Sequence, residues 1–164
     1  MSTWFFLLSQ LSILSFALVG GVFLAFSDFI MRSLALAQAP GGIDVMQVIN
    51  REVFHWAFMI LFIGMAAVSV VVIAYAWLYL NGPAGGLIAG AALVYLVGVF
   101  GVTVFFNVPL NEALAGLDAG SETARQFWET RYLPRWTFWN SVRTVGSVLA
   151  ATLYLFGLLW AAQG

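Results

Sequence analysis

The placement of ionisable residues is the feature that most restricts how this chain can fold. No Arg, Lys, Asp, Glu or His occurs in residues 1–27, 56–111 or 144–164, and all of them fall in 28–55 or 112–143. A soluble domain is about 25% charged, whereas this chain is 8% charged and 63% hydrophobic. Most of its length is therefore suited to lipid rather than to water.

Four apolar stretches are long enough to cross a bilayer, which requires about 20 helical residues. Only helices and closed barrels can span lipid, and unbroken apolar runs do not fit the alternating strands of a barrel. We therefore predict an all-α fold, an integral membrane four-helix bundle that forms a single transmembrane domain over residues 1–164. Its helices should extend beyond the spans on the charged side. The predicted spans are 4–26, 56–80, 83–106 and 144–162.

The connections between the spans predict which end of the bundle is polar. Residues 81–83, Asn-Gly-Pro, form a predicted tight turn. Two longer polar connections, at roughly 33–43 and 107–133, lie at the opposite end, which is named the polar end. All six arginines belong to it. The positive-inside rule then predicts that the polar end is cytoplasmic and that both termini lie outside.

The second polar connection contains a signal for the start of a helix. Ser121 is a predicted N-cap, and Glu122 supplies a negative charge to the first turn. We expect a short interfacial helix at about 122–133 that runs into helix four. Pro134 either starts or kinks that helix, because proline cannot donate an intrahelical hydrogen bond.

Composition excludes several classes of function. The chain has no cysteine and therefore neither disulfides nor thiolate metal sites. A net charge of −1, without any lysine or basic run, gives no reason to expect nucleic acid as a partner. The single histidine excludes a haem held by two histidines of one chain.

The one histidine lies close to a carboxylate. Glu52 and His55 are three residues apart and share a helix face. Glu-x-x-His is half of the signature of di-metal sites in helical bundles, which require a second copy and further glutamates. Because the chain has no second copy, we expect no metal ion at this pair. Both residues remain candidates for a general base.

Asp28 and Arg143 are the charges that lie next to predicted spans. Asp28 has two alternatives: an ion pair with Arg32 one helical turn away, or a position inside the bundle that faces an arginine of helix four. Arg143 shares a helix face with Trp136. It either extends to lipid headgroups from the membrane boundary or takes part in a polar site, since a charge in lipid is costly and usually functional.

All four predicted helices bring polar groups to the polar end. Polar groups that converge in an apolar cleft are typical of ligand sites, so we predict a pocket there with walls formed by Trp136, Trp139 and Phe106. The candidate bases are His55, Glu52 and Asp28, and the candidate catalytic cation is Arg143. The candidate substrate-binding residues are Asn50, Asn107, Asn111, Trp136, Trp139 and Asn140.

Four segments of the sequence are distinctive: GGVFLAFSDFIMRSLA, GIDVMQVINREVF, FNVPLNEALAGL and RWTFWNSVRTVGSVLAATL. In this order they resemble the small bacterial membrane proteins grouped with the fungal anthrone oxygenases. The resemblance implies a four-helix protein of the bacterial inner (plasma) membrane, in a family of which some members oxidise anthrones to anthraquinones with molecular oxygen. The matching positions are Asn50, Asn107, Asn111, Trp139, Asn140 and Arg143. Many relatives have a histidine where this chain has Ser141, which leaves His55 for the role of a histidine base.

Two functions fit these features. The first is binding of a hydrophobic small molecule, such as a quinone, lipid or polyphenol, with or without a role as an accessory subunit. The second is an oxygenase that needs a base and a cation or amide donors near the developing oxyanion.

We expect no organic cofactor, with molecular oxygen as co-substrate if the protein is an enzyme. The expected partners are the lipid bilayer, the small molecule, and a second copy or a larger membrane complex; Gly86 and Gly90 form a GxxxG pair that packs either within the bundle or against a second copy.

Overall fold

The structure, a computed structural model, describes residues 2–55 and 57–163. These residues form five helices, of which four are long and apolar enough to cross a membrane. This confirms the predicted all-α, four-helix membrane bundle. The second predicted span begins at Trp56, which lies outside the described residues. The helices are α1 (Thr3–Leu36), α2 (Ala39–Glu52), α3 (Ala57–Tyr79), α4 (Gly82–Ala115) and α5 (Glu122–Gln163), and α2 is the one that does not span.

The first polar connection is almost entirely helical, so the prediction of a connection at 33–43 is wrong in extent. Only residues 37–38 separate α1 from α2. Pro40 lies in the first turn of α2, where a backbone N–H is not needed. A Cβ at Gly42 would lie 2.3 Å from the carbonyl oxygen of Leu34, so only glycine lets α2 fold back this closely on α1. The Pro-Gly-Gly stretch therefore starts a helix instead of forming a loop.

The second polar connection is also shorter than predicted. Helix α4 continues to Ala115, and α5 begins at Glu122. The predicted N-cap is confirmed, because the backbone N–H of Ala124 donates to Ser121 Oγ at 3.1 Å. Helix α5 then runs through Pro134 into the membrane span, as expected for a short helix joined to helix four.

Three of the spanning helices contain π-turns, which apolar patterning does not predict. A π-turn adds a residue to a helical turn and is frequent at functional sites. The turn in α5 ends two residues before Pro134, so the helix has already departed from α geometry where the proline removes a donor. The π-turns are Phe26–Ile30 in α1, Leu96–Gly101 and Thr103–Asn107 in α4, and Trp128–Tyr132 in α5.

The connection between α3 and α4 is the predicted tight turn. Gly82 has a φ of 71°, a left-handed conformation that favours glycine. In the next turns, Gly86 and Gly90 have no atoms within 4 Å of an added Cβ. The GxxxG pair therefore does not pack within the bundle, which leaves its face free on the outside of α4.

The bundle contains two separate cores. Helix α5 packs most extensively against α4 and α1, and α3 packs mainly on α4. The first cluster, the membrane core, includes Phe16, Ile88, Tyr95 and Tyr154. The second cluster, the polar-end core, joins α2 to the ends of α1, α4 and α5 through residues such as Met46, Leu114 and Trp128. Helix α2 thus closes the polar end of the bundle from the side.

Candidate functional site

A cavity lies where the membrane core meets the polar-end core. It contains ≈ 620 Å³ of space between atoms, part of which is open to the outside, and residues from all five helices line it. Phe23 and Phe62 line it from the membrane core, and Met46 lines it from the polar-end core. Val22 and Phe54, which also line the cavity, are 38% and 64% exposed. The inner wall is therefore buried and aromatic, whereas the mouth is apolar and open.

Arg143 is the charged residue of the cavity. It is 5% exposed, so it does not extend to headgroups but lies inside the bundle. Nη2 donates to Asn140 Oδ1 at 2.7 Å, and Nη1 donates to Thr103 Oγ1 at 3.2 Å. The guanidinium also lies over the rings of Phe23, at 4.2 Å, and Trp136, at 5.2 Å. Cation–π contacts of this kind stabilise a desolvated cation.

The cavity has no acidic counterpart to this arginine. All seven Asp and Glu side chains are exposed, and the three ion pairs found among the described residues do not include Arg143. Among the described residues, Arg143 is the only charged residue that is buried, and its Nε has no hydrogen-bond partner there. The cavity is therefore electropositive and keeps a free donor.

A second group of hydrogen bonds fixes the wall opposite the membrane core. Asn111 Oδ1 accepts from Tyr132 OH and from Trp136 Nε1, both at 2.8 Å. Asn50 Nδ2 donates to Tyr132 OH at 3.3 Å. The group joins α2, α4 and α5, and Asn50, Asn111 and Trp136 line the cavity. The structure thus brings three of the predicted binding residues together.

Two further predicted residues lie behind the lining. Asn140 donates to the carbonyl oxygen of Phe23 and to Ser27 Oγ, both at 2.7 Å, and so ties α5 to α1. Asn107 is buried, and its Nδ2 donates to the carbonyl oxygen of Trp136 at 3.3 Å. Within the described residues its Oδ1 has no hydrogen-bond partner. Asn140 positions Arg143 directly, whereas Asn107 supports the backbone next to Trp136.

The three predicted bases do not line the cavity. His55 Nδ1 and Glu52 Oε2 are 4.0 Å apart on the expected shared face, but the His55 side chain is 70% exposed. They flank Val53 and Phe54, which do line it. Asp28 is exposed in a shallow groove between α1 and α5. No ion pair joins Asp28 to Arg32 or to an arginine of α5 in the described segments, so both alternatives for Asp28 are wrong.

Two of the three predicted aromatic walls are also elsewhere. Phe106 and Trp139 stack on each other with ring centroids 3.8 Å apart, and neither lines the cavity. Of the three predicted walls, only Trp136 lines the cavity. Ser141 shares a 3.1 Å hydrogen bond with Ser27 and lines the groove that contains Asp28. Ser141 therefore faces that groove and not the cavity.

Sequence reasoning missed Tyr132, Thr103 and Phe23. Tyr132 resembles an ordinary interfacial aromatic residue, and Thr103 and Phe23 stand inside apolar runs without a motif. One signal was available in the spacing of residues along α5. Trp136 lies four residues before Asn140, and Tyr132 lies eleven residues before Arg143, which places these residues on one side of the helix. A metal site finds no support in the side chains, because residues 2–55 and 57–163 contain no group of three His, Asp or Glu able to hold an ion.

The fold and the site define a multi-pass helical membrane protein with a cation-containing cavity at one end of its bundle. The sequence profile of the anthrone oxygenase family matches residues 51–153, more than half of the chain and the part that holds Thr103, Asn111 and Arg143. The chain belongs to the anthrone oxygenase family, as the four segments indicated. A search of curated proteins and a search of solved structures found no match.

Proposed function

We propose that the protein binds a flat, apolar, oxygen-bearing aromatic molecule in the cavity of its polar end. The observation that carries the proposal is the combination of buried ring walls with a buried guanidinium whose Nε is free among the described residues. Apolar clefts with a few convergent polar groups are the usual form of small-molecule sites. The rings of Phe23 and Trp136 favour a flat aromatic body, and Arg143 favours an oxygen at its edge.

The mouth of the cavity supports delivery of this molecule from the bilayer. Val22 and Phe54 at the mouth are apolar and exposed, on an outer surface that is suited to lipid. An apolar aromatic molecule concentrates in the membrane, so a side entrance meets it at a higher concentration than an aqueous one. We propose that the polar end faces the cytoplasm of a bacterial inner membrane, in line with its arginines.

Binding is tested with purified protein in lipid nanodiscs and 1,8-dihydroxyanthraquinone as the probe. Val53→Trp places a large side chain in the cavity and should weaken binding at least about tenfold, since filling a pocket displaces the ligand outright. Val48→Trp is the matched control, because Val48 is an exposed valine on α2 outside the lining. Equal binding by both variants and the wild type would show that the probe binds elsewhere.

A second candidate function is oxygenation of an anthrone-like substrate, which family membership favours. An anthrone loses a proton to give an electron-rich anion, the anion transfers electrons to oxygen, and a new C–O bond forms. Overall, one anthrone and one O₂ give one anthraquinone and one water. Arg143, held in position by Asn140, would stabilise the oxyanion. Because such an anion reacts with oxygen itself, we propose that the reaction uses no metal or organic cofactor.

Oxygen uptake with 1,8-dihydroxyanthrone, measured above the spontaneous rate in empty nanodiscs, tests the second function. Arg143→Gln should lower the rate about 100-fold or more, the usual effect of removing a group that stabilises an oxyanion. Arg135→Gln, which removes an exposed charge from the same helix, should leave it unchanged. A rate in His55→Ala equal to the wild-type rate removes the histidine as base, and a wild-type rate no higher than the spontaneous one removes the function.

A further inference from the structure

The cavity contains a cation without a group that can accept a proton. A guanidinium carries five N–H donors, of which Arg143 uses one on Nη1 and one on Nη2, both towards neutral oxygens. Among the described lining residues Arg143 is the only ionisable one. The site therefore provides a charge to hold an anion but no base with which to make one.

The groups around Arg143 on every packed element support the same view. Among the described residues, the ionisable groups that stand close in sequence to the cavity lining are exposed, with one exception. The exception is Tyr132 of α5, whose hydroxyl is hydrogen-bonded to Asn111 and Asn50. These exposed groups are Asp28, Arg32, Asp44, Arg51, Glu52, His55, Glu112, Arg131 and Arg135. None of them lines the cavity, so none is placed to accept a proton from a molecule beside Arg143.

An unpaired buried charge destabilises a fold, and neutral oxygens and ring faces offset only part of that cost. An oxyanion beside the guanidinium would remove the remainder and would gain a charge-assisted hydrogen bond from Nε. A neutral ligand of the same shape would leave the charge without a counterion. The site should thus discriminate between two protonation states of one molecule.

We propose that the cavity selects the anion of an acidic aromatic alcohol, a phenol or an enol, and that this anion forms outside it. The O–H bond of the ligand breaks, the proton passes to bulk water, and the oxyanion binds to Arg143. This inference rests on the proposed binding function. It assigns selection to charge and leaves deprotonation to the solution, so the protein requires no base of its own in the cavity.

The test uses 2-naphthol, whose neutral and anionic forms differ in absorbance, and its neutral methyl ether, 2-methoxynaphthalene. Both are titrated into nanodiscs with and without the protein, across a range of pH. Bound 2-naphthol should lose its proton at a pH about one unit or more below that in empty nanodiscs, because a cation within about 4–6 Å lowers the pKa of an acid by about 1–3 units. The anion should bind at least about tenfold more tightly than the ether.

Three variants localise the effect. Arg143→Gln should abolish the shift, Arg143→Lys should keep part of it, and Arg135→Gln on the surface of the same helix should keep all of it. If 2-naphthol and its ether bind equally and without a shift, the inference is wrong while the binding function stands. If the shift persists in Arg143→Gln, the inference is also wrong. If the dihydroxyanthraquinone probe and both naphthalenes fail to bind, the proposed function itself is refuted.

Discussion

At the scale of residues, Arg143 stands out because it is a charged side chain that is buried. It lies in an apolar bundle with neutral hydrogen-bond partners and two ring faces. A charge placed in this way is a cost to folding, so binding explains its position better than stability does. Asn140 shows how the cost is limited: its oxygen accepts from Arg143, and its nitrogen is satisfied by α1.

Asn111 joins two buried side chains of α5 through one oxygen. Its Oδ1 accepts two hydrogen bonds from buried aromatic side chains, Tyr132 and Trp136. Asn111→Ala should destabilise the protein by about 2–3 kcal/mol, since a buried donor left without a partner costs about 1–3 kcal/mol. Thermal unfolding in detergent measures the effect. Glu112→Ala, the exposed neighbour, is the control, and an equal loss of stability in both variants would contradict the assignment.

Helical spacing predicted one face of α5 correctly but not the partners of that face. Trp136, Asn140 and Arg143 point to one side, as their i, i+4, i+7 spacing requires. One of the two alternatives placed Asp28 inside the bundle, because it stands at the last turn of a predicted span. It stands within a π-turn, which shifts residues around the helix relative to α geometry, and it is exposed. Spacing along one helix does not report such a shift.

At the scale of elements, the π-turns set which residues meet at the cavity. Thr103 and Asn111 are eight residues apart on α4, yet both bond to α5. Thr103 Oγ1 accepts from Arg143, and Asn111 Oδ1 accepts from Trp136. The π-turn Thr103–Asn107 lies between them. In regular α geometry each residue turns the helix by about 100°, so one residue more or less decides whether both can face α5.

Deletion of Phe105 tests this role. Phe105 lies in the π-turn of α4 and is exposed, so Phe105→Ala should change little. Deletion should convert the π-turn to a regular turn and rotate Thr103 by about 100° relative to Asn111. Binding of the dihydroxyanthraquinone probe should fall at least about tenfold in the deletion variant only. Retention of wild-type affinity by the deletion variant would show that the π-turn does not determine the site.

The start of α5 offers a test of local helix chemistry. Ser121 Oγ accepts from the N–H of Ala124 at 3.1 Å and also donates to the carbonyl oxygen of Asp118 at 2.7 Å. Ser121→Ala removes both bonds and should lower the free energy of unfolding by about 1 kcal/mol, typical of a lost N-cap. Ser121→Asp keeps an acceptor and should lose less. Chemical unfolding in detergent distinguishes the two, and equal losses would point to the Asp118 bond instead.

Helix α2 marks the limit of prediction from sequence at this scale. Hydropathy located every span, because a bilayer demands about 20 apolar residues whatever the packing. Ser121 located the start of α5 through a rule that depends on its own turn alone. Helix α2 depends on tertiary contacts: its glycine packs against Leu34, and its buried face meets Trp128. A Pro-Gly-Gly signal has the same local form whether a loop or a tightly packed helix follows.

On the scale of the whole molecule, the cavity lies where two separate cores meet without filling the space between them. In lipid, apolar burial gives no hydrophobic gain, so the membrane core depends on close packing and internal hydrogen bonds such as Tyr95 OH to the carbonyl oxygen of Phe62, at 2.9 Å. The polar-end core adds α2 at the side and does not fill the space above Phe62. That division explains why the bundle is packed on both sides of the cavity and open between them.

The proposed orientation of the molecule can be measured without background labelling, since the chain has no cysteine. Gln38→Cys reports on the polar end, and Asn81→Cys and Gln163→Cys report on the opposite end. The positive-inside rule places the exposed arginines on the cytoplasmic side. A membrane-impermeant maleimide added to intact bacterial cells should therefore label the cysteines at 81 and 163 and not the cysteine at 38. Lysed cells should label all three. Labelling of Gln38→Cys alone in intact cells would place the polar end outside, and a ligand anion would then form in the external medium.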